Sequence, residues 1–358
     1  MANGKAEFKA LGLRLGEGEK TVAVEISPDT QANALHRLAR LRFEEQKDDD
    51  AIALLRKALK ISSPERRALF LKELTGALIS AGKSSDALAL IGEFVKQNPT
   101  EPVYPYFRAE VLAHAGREAE VLEQLGAMQS KFPKFAPAFH LAGMVHWKGK
   151  RLELAEKKFR QALKLDRRLA GSWQALSEVV HSREGDASMV KIFEQATKAL
   201  PNDTKLLYLH ATSTYAAGDY VRAIGLFERL IRIVGSSPNA LSGLAIAQAD
   251  AATDQPGLNA AKHYANEALK ASQSKNALAL DAYAWVLIKE RKFKKAIELL
   301  TKARKIQKDD AAILYHLGRA YLETGNTLKA KALFRQALTV NPPQHYRSEM
   351  VKLLSTTN

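Results

Sequence analysis

Nine histidines come first among the residues that could do chemistry, because an imidazole near neutral pH can move a proton or hold a metal ion. None has the H-E-x-x-H spacing that sets two imidazoles on one helical face, and no carboxylates join them in a recognisable site. His140 and His146 stand close in sequence but fall on different faces of a helix. The stretch from Gly76 to Ser84 imitates a phosphate loop. Its glycines are one residue too far apart for G-x-x-x-x-G-K-[ST], and no strand precedes it. It reads as the end of a helix and its turn. No serine sits in a G-x-S-x-G elbow. Asn202-Asp203-Thr204 fits a glycosylation acceptor, a motif short enough to arise by chance. There is no cysteine, which excludes disulfides, thiolate metal sites and cysteine nucleophiles. The expectation is a protein that is not an enzyme, with no cofactor and no metal.

The elements that carry these residues repeat. Small or apolar residues recur at Ala51, Ala87, Val121, Ala155, Met189, Ala223, Ala261, Ala296 and Ala330, mostly in steps of 34. A second series runs ahead of it, from Ala39 and Thr75 to Ala284 and Gly318. A third trails it, from Ala58 and Phe94 to Ala303 and Ala337. Around these anchors apolar residues recur at i, i+3, i+4 and i+7, so each period holds two amphipathic helices. Glycine closes the first helix in Ala81-Gly82-Lys83 and Ala217-Gly218-Asp219, and proline ends several units, as at Pro99, Pro133, Pro201 and Pro342. A single helix pair cannot bury its own apolar face, so pairs must stack. Two stretches break the period. Ser62–Arg67 adds residues between units, and Ala252–Asn259, with Pro256-Gly257 as a turn signal, lengthens a turn within one.

The ninth copy reads Leu314, Leu317, Gly318, Tyr321, Ala330, Phe334, Ala337, Pro342, and the fifth begins at Trp173, Leu176 and Ser177. This resembles the tetratricopeptide repeat, W-x2-L-G-x2-Y…A-x3-F…P. The resemblance covers nine copies and implies an all-α, right-handed α-solenoid. Its expected parts are an N-terminal extension over 1–29, a solenoid over 30–342, and a capping helix and tail over 343–358. Phe8–Ile26 alternates around a glycine turn, which predicts a β-hairpin; the alternative is the remnant of a further helix pair. Tyr346, Met350, Leu353 and Leu354 would cover the last apolar face.

In that family the first helix of each pair lines a concave groove. The resemblance therefore puts Tyr106, His140, Met144, Trp147, His181, Tyr208, Tyr215, Trp285 and Tyr315 in a partner-binding groove, with Arg319 beside them. Such side chains give large contact area with few rotatable bonds. The lysine-asparagine clamp of chaperone-tail binders is absent, since His36, Arg40 and Glu73 stand at its positions. An asparagine ladder is absent too.

Charge adds a second feature. The net charge is +15, which favours acidic partners. From Trp147 to Arg168 nine lysines and arginines face three acids; from Ala277 to Pro342 thirteen face six. Lys157, Lys158, Arg160, Lys164, Lys294, Lys295, Arg304 and Lys305 fall on second helices, toward the convex side. The leading expectation is a protein-interaction scaffold taking a peptide or helix in the groove. The alternative is a polyanion binder, for RNA, acidic polysaccharide or an anionic membrane, though no nucleic-acid signature is present and no specific DNA binding is expected. Stretches such as Ala282–Leu287 are similar in style to bacterial envelope repeat proteins of exopolysaccharide export and surface-protein sorting. No apolar run is long enough to span a bilayer, and no signal peptide opens the chain as it stands. A cytoplasmic location follows for the chain as given, and a periplasmic one for a processed chain.

Overall fold

Residues with helical apolar periodicity and small anchors form helices wherever the computed structural model describes the chain, at 27–340 and 342–356. The hairpin expected before Ser27 lies outside the described residues. Contacts divide the chain into two compact units, Met1–Lys150 and Arg151–Asn358. The first holds α1 (Pro28–Glu44), α2 (Asp48–Ile61), α3 (Pro64–Ser80), α4 (Ser84–Gln97), α5 (Val103–His114), α6 (Glu118–Lys131) and α7 (Ala136–Lys148). The second opens with α8 (Leu152–Leu165), α9 (Ala170–Glu184), α10 (Asp186–Ala199), α11 (Thr204–Ala216), α12 (Tyr220–Val234) and α13 (Pro238–Ala251). It continues with α14 (Gln255–Ala271), α15 (Ala277–Lys289), α16 (Phe293–Ile306), α17 (Ala311–Glu323), α18 (Thr327–Thr339) and α19 (Gln344–Thr356). α1 to α18 fall at the places of the nine expected pairs. The boundary between units lies in the turn between the helices expected as the fourth pair.

Local chemistry sets the helix ends. The Asp310 carboxylate accepts the backbone N–H groups of Ala312 and Ile313 at 2.9 and 3.0 Å, capping the orphan donors that open α17. α17 closes at Gly325, whose φ of +79° costs a glycine little, with Asn326 N–H donating to the Tyr321 carbonyl. Both breaks in the period are helix over their later part, with only Ser62-Ser63 and Ala252–Asp254 left as turn. Pro64 opens a 17-residue α3, and Asp254 caps a 17-residue α14 by accepting from Gly257 N–H. Pro256 and Gly257, expected in a turn, therefore lie in the first turn of α14. Proline suits that place because its missing N–H would have had no helical partner.

The anchor series is the buried seam. Ala51, Ala87, Val121, Ala155, Ala223, Ala261, Ala296 and Ala330 are wholly covered, while Met189 is half-buried. Phenylalanines fill the space beside the seam. Phe70 anchors the first unit's core, and Phe227 and Phe334 that of the second, each burial worth about 1.5–3 kcal/mol. In each unit successive first helices touch: α3 with α5 and α5 with α7, then α13 with α15 and α15 with α17. No contact of comparable extent joins successive second helices among the described residues. The first helices thus form the closer, inner layer of each unit.

α19 covers the ninth pair through Tyr346 and Met350, both buried, and the half-buried Leu353 and Leu354. Its first turn goes further, and reaches side chains far back along the second unit. Among the described residues no helix is long and apolar enough to cross a membrane.

Candidate functional site

In the first unit the expected residues lie on α5 and α7. Tyr106 is half-buried, with its ring edge-on to Phe135 at 5.6 Å. Burial, with Glu110 alongside, holds its phenol well above the ordinary value, so it stays a neutral donor. Burial pushes the His140 imidazole down toward its neutral form. Met144 and Trp147 come together with Ala113, Leu141 and Val145 around a mainly apolar cleft of about 740 Å³, which His114, Glu118 and Lys148 also line. Tyr106 and His140 do not line that cleft.

In the second unit His181 lies 3.3 Å from Asp186, and Tyr208 is half-buried with its ring edge-on to Phe227. Tyr215, Trp285 and Tyr315 are brought together, but under α19 rather than on an open face. Trp285 and Tyr315 are only 3% and 1% exposed. They were expected to line an open groove, and here they form the floor beneath the first turn of α19. Tyr315 stacks on Tyr346 with ring centres 4.2 Å apart, and its hydroxyl donates to Glu349 at 2.5 Å. Arg319 forms an ion pair with the same carboxylate. Trp285 stacks on His316 at 4.0 Å.

Three residues that sequence reasoning passed over organise this floor. Asp250 accepts from the Tyr215 hydroxyl at 2.6 Å, from Trp285 Nε1–H at 2.9 Å and from Lys289 at 2.9 Å. Asp281 and His316 are wholly buried and meet at 2.7 Å through His316 Nδ1. The other ring nitrogen shares a hydrogen bond with the Tyr346 hydroxyl at 2.9 Å, and that hydroxyl meets the Tyr215 hydroxyl at 2.6 Å. A buried line of polar groups thus runs from Asp281 through His316, Tyr346 and Tyr215 to Asp250. Burial, with Tyr346 beside it, holds the Tyr215 phenol protonated; burial, helped by the carboxylates of Asp310 and Asp250, pushes the Asp281 carboxyl up against the opposing pull of His316. The signal that could have found Asp281 was position, since it is the fifth residue of its first helix, like Tyr208 and Tyr315 in theirs. Among the described residues no group of three or more histidine, aspartate or glutamate side chains could hold a metal ion.

The basic residues stand on second helices of the second unit. Lys157 and Lys164 are exposed on α8, where Arg160 pairs with Glu156 at 2.8 Å. Partial burial, with Lys157 adjacent, lowers the ammonium of Lys158. Lys294, Lys295 and Lys305 are exposed on α16, and Arg304 donates to Gln336 at 2.9 Å. Arg160, Lys164, Arg167 and Lys198 also rim a cleft of about 390 Å³ floored by Leu163, Trp173 and Leu176. Arg56, Lys60 and Arg67 rim a similar cleft of about 280 Å³ in the first unit.

Known proteins place this arrangement. The tetratricopeptide repeat family matches residues 32–64, 136–168 and 287–352. A solved tetratricopeptide repeat protein from Parabacteroides merdae ATCC 43184 is 14% identical with a TM-score of 0.55, covering 74% of this chain and 99% of that one. The C-terminal part of a TPR repeat-containing protein from Cytophaga hutchinsonii is 14% identical with a TM-score of 0.48, covering 79% and 99%. YrrB, described as a TPR protein with an unusual peptide-binding site, is 19% identical with a TM-score of 0.41, covering 53% and 96%. No curated protein matches the chain. The first of these structures shares the fold of this chain. The envelope resemblance stays an expectation. Family matches at three places along the chain, a 34-residue period whose anchors are buried, and the shared fold show that the chain is built of tetratricopeptide repeats.

Proposed function

We propose that the chain is a non-catalytic interaction scaffold that binds a peptide or helix of a partner protein against the first helices of its repeats. The observation that carries this reading is the open cleft of the first unit. Met144, Trp147, Leu141 and Val145 leave about 740 Å³ unfilled, enough to accept large side chains of a ligand. Tryptophan supplies rigid contact area, and methionine adapts to irregular shapes. The test is affinity capture with the full chain and with Tyr106→Ala, His140→Ala, Met144→Ala and Trp147→Ala. At least one variant should weaken a captured partner by roughly 2 kcal/mol while helicity is kept. Normal binding by all four would exclude this surface.

A second reading has its own observation, the two apolar clefts rimmed by arginine and lysine with no acid among their lining residues. They would suit an anionic ligand. A polyanion bound there would lose affinity steeply with salt, with a log-log slope of about −0.7 to −0.9 per phosphate neutralised.

A further inference from the structure

The first turn of α19 is held as a bound ligand is held. Gln344 N–H donates to Asp186 at 3.1 Å, and His345 Nδ1 bonds to the Ala216 carbonyl at 2.9 Å. The next residue, Tyr346, places its hydroxyl between Tyr215 and His316 and its ring on Tyr315. Three residues on, Glu349 is gripped by the Tyr315 hydroxyl and Arg319. Hence two side chains on one helical face, a tyrosine and a carboxylate, are read by polar groups that the repeats themselves hold in place. Asp281 fixes His316, and Trp285 with Lys289 fixes Asp250, which in turn fixes Tyr215. A lid that only covered apolar surface would need none of these bonds. A buried polar socket discriminates, because a ligand without the matching hydroxyl leaves its groups unpaired.

α19 also fills its seat incompletely. A cleft of about 530 Å³ remains beside it, lined by Trp285, Lys289, Arg291, Phe293 and Arg319 along one wall. In the far half of the helix only one face is held, by Met350, Leu353 and Leu354, while Val351, Lys352, Ser355 and Thr356 are exposed. A helix of 13 residues is marginal in water by itself, so α19 must be ordered each time it docks. A longer helix, already formed in another protein, avoids that ordering and can compete despite the high local concentration of a tethered segment.

We infer that the seat of α19 is a binding site for a helix of a partner protein that carries a tyrosine followed three residues later by a glutamate, and that α19 occupies this site in cis until the partner arrives. This rests on reading the first helices as the binding layer. It concerns the second unit, so its failure leaves the Met144 and Trp147 cleft of the first unit to be judged on its own variants.

The probe is a fluorescent synthetic peptide of residues 342–358, made with and without Tyr346→Phe. The full chain carrying Tyr346→Ala and Glu349→Ala should bind the tyrosine peptide at least tenfold more tightly than the unaltered chain does. The phenylalanine peptide should bind at least tenfold more weakly than the tyrosine peptide. Equal binding of the two peptides, or no binding by a variant that keeps its helicity, would overturn the inference. Should the double variant not fold, a protease site placed in the connector at 340–343 allows the folded full chain to be cut. Exchange of the cut helix for the labelled peptide supports the inference, and failure to exchange refutes it. Light scattering gives the last arm, since dimers formed by swapping α19 would make a second copy the occupant in place of a partner protein.

Discussion

The ring of Phe334 lies so close over Gly318 that a Cβ added to the glycine would overlap it. The two residues belong to the paired helices α17 and α18, and the contact sets how near those helices come. Gly243 stands in the same relation to Phe227, across the junction of two repeats. Gly318→Ala should therefore destabilise the chain by about 1–3 kcal/mol through overpacking. Gly76, which has open space around the same point, serves as the control. Gly76→Ala should be neutral or stabilising by about 0.5–1 kcal/mol, because helical glycine is costly. Thermal melts of both variants check the pair of expectations, and equal effects would mean the Phe334 contact does not govern packing.

The buried pair of Asp281 and His316 should be strongly non-additive. Removing one partner strands the other without compensation, so His316→Leu should cost about 3–5 kcal/mol. Replacing both residues with leucine should cost less than the sum of the single changes. Denaturant unfolding of the two single variants and the double variant measures the coupling, and simple additivity would show that the pair is not an energetic unit.

Stability should fall on mild acidification through His210. Burial, with Arg222 nearby, lowers its imidazole to about 4, and Thr197 meets its Nδ1 at 3.0 Å. In the unfolded chain the same group titrates near about 6.5. A group that is harder to protonate when folded favours the folded state above the unfolded value. That advantage is lost as pH falls from about 6.5 toward 4. The melting temperature of the unaltered chain should drop across this window, and His210→Gln should flatten the drop. Parallel curves for the two proteins would assign the acid sensitivity elsewhere.

Charge reversal separates the two functional readings. Lys157, Lys158, Lys294 and Lys295 lie on second helices, away from the layer where a peptide would bind. Reversing all four to glutamate should leave peptide affinity within about threefold and slow association, since exposed charges act mainly on encounter. If binding of a captured partner vanishes instead, while Tyr106→Ala and Tyr208→Ala behave normally, the basic surface is the functional one.

Most of the repeat architecture was legible because periodicity records which face of a helix meets its neighbour. The steps from Ala51 to Ala330 mark a seam that is almost wholly buried, with Met189 the half-exposed exception. The seat of α19 was not legible. Asp186, Tyr215 and Ala216 lie 129 to 158 residues before the α19 groups they meet, and no local pattern encodes such a pairing. Trp285 and Tyr315 were correctly assigned to the first helices, but periodicity cannot say whether a face is vacant or occupied. Asp281 stands at the same helical position as Tyr208 and Tyr315, but a lone carboxylate in sequence looks like a solvated residue until its buried partner His316 is known. The two insertions were read as loops because proline and glycine signal turns, yet the same residues are at home in the first turn of a helix.

The reach of α19 also bears on the order in which the second unit is built. Helix pairs close on sequence neighbours, so they can form soon after they leave the ribosome. The seat cannot be filled until about 130 further residues have followed Tyr215 and Ala216. Until then Tyr215, and His316 and Arg319 once they are made, have Asp250, Asp281 and Glu323 as partners but lack the side chains of α19 that they later hold. Assembly of this unit is then a two-stage process, a quick local zippering followed by one long-range closure. A nascent chain caught between the stages has its helix pairs formed and this polar seat still open to solvent.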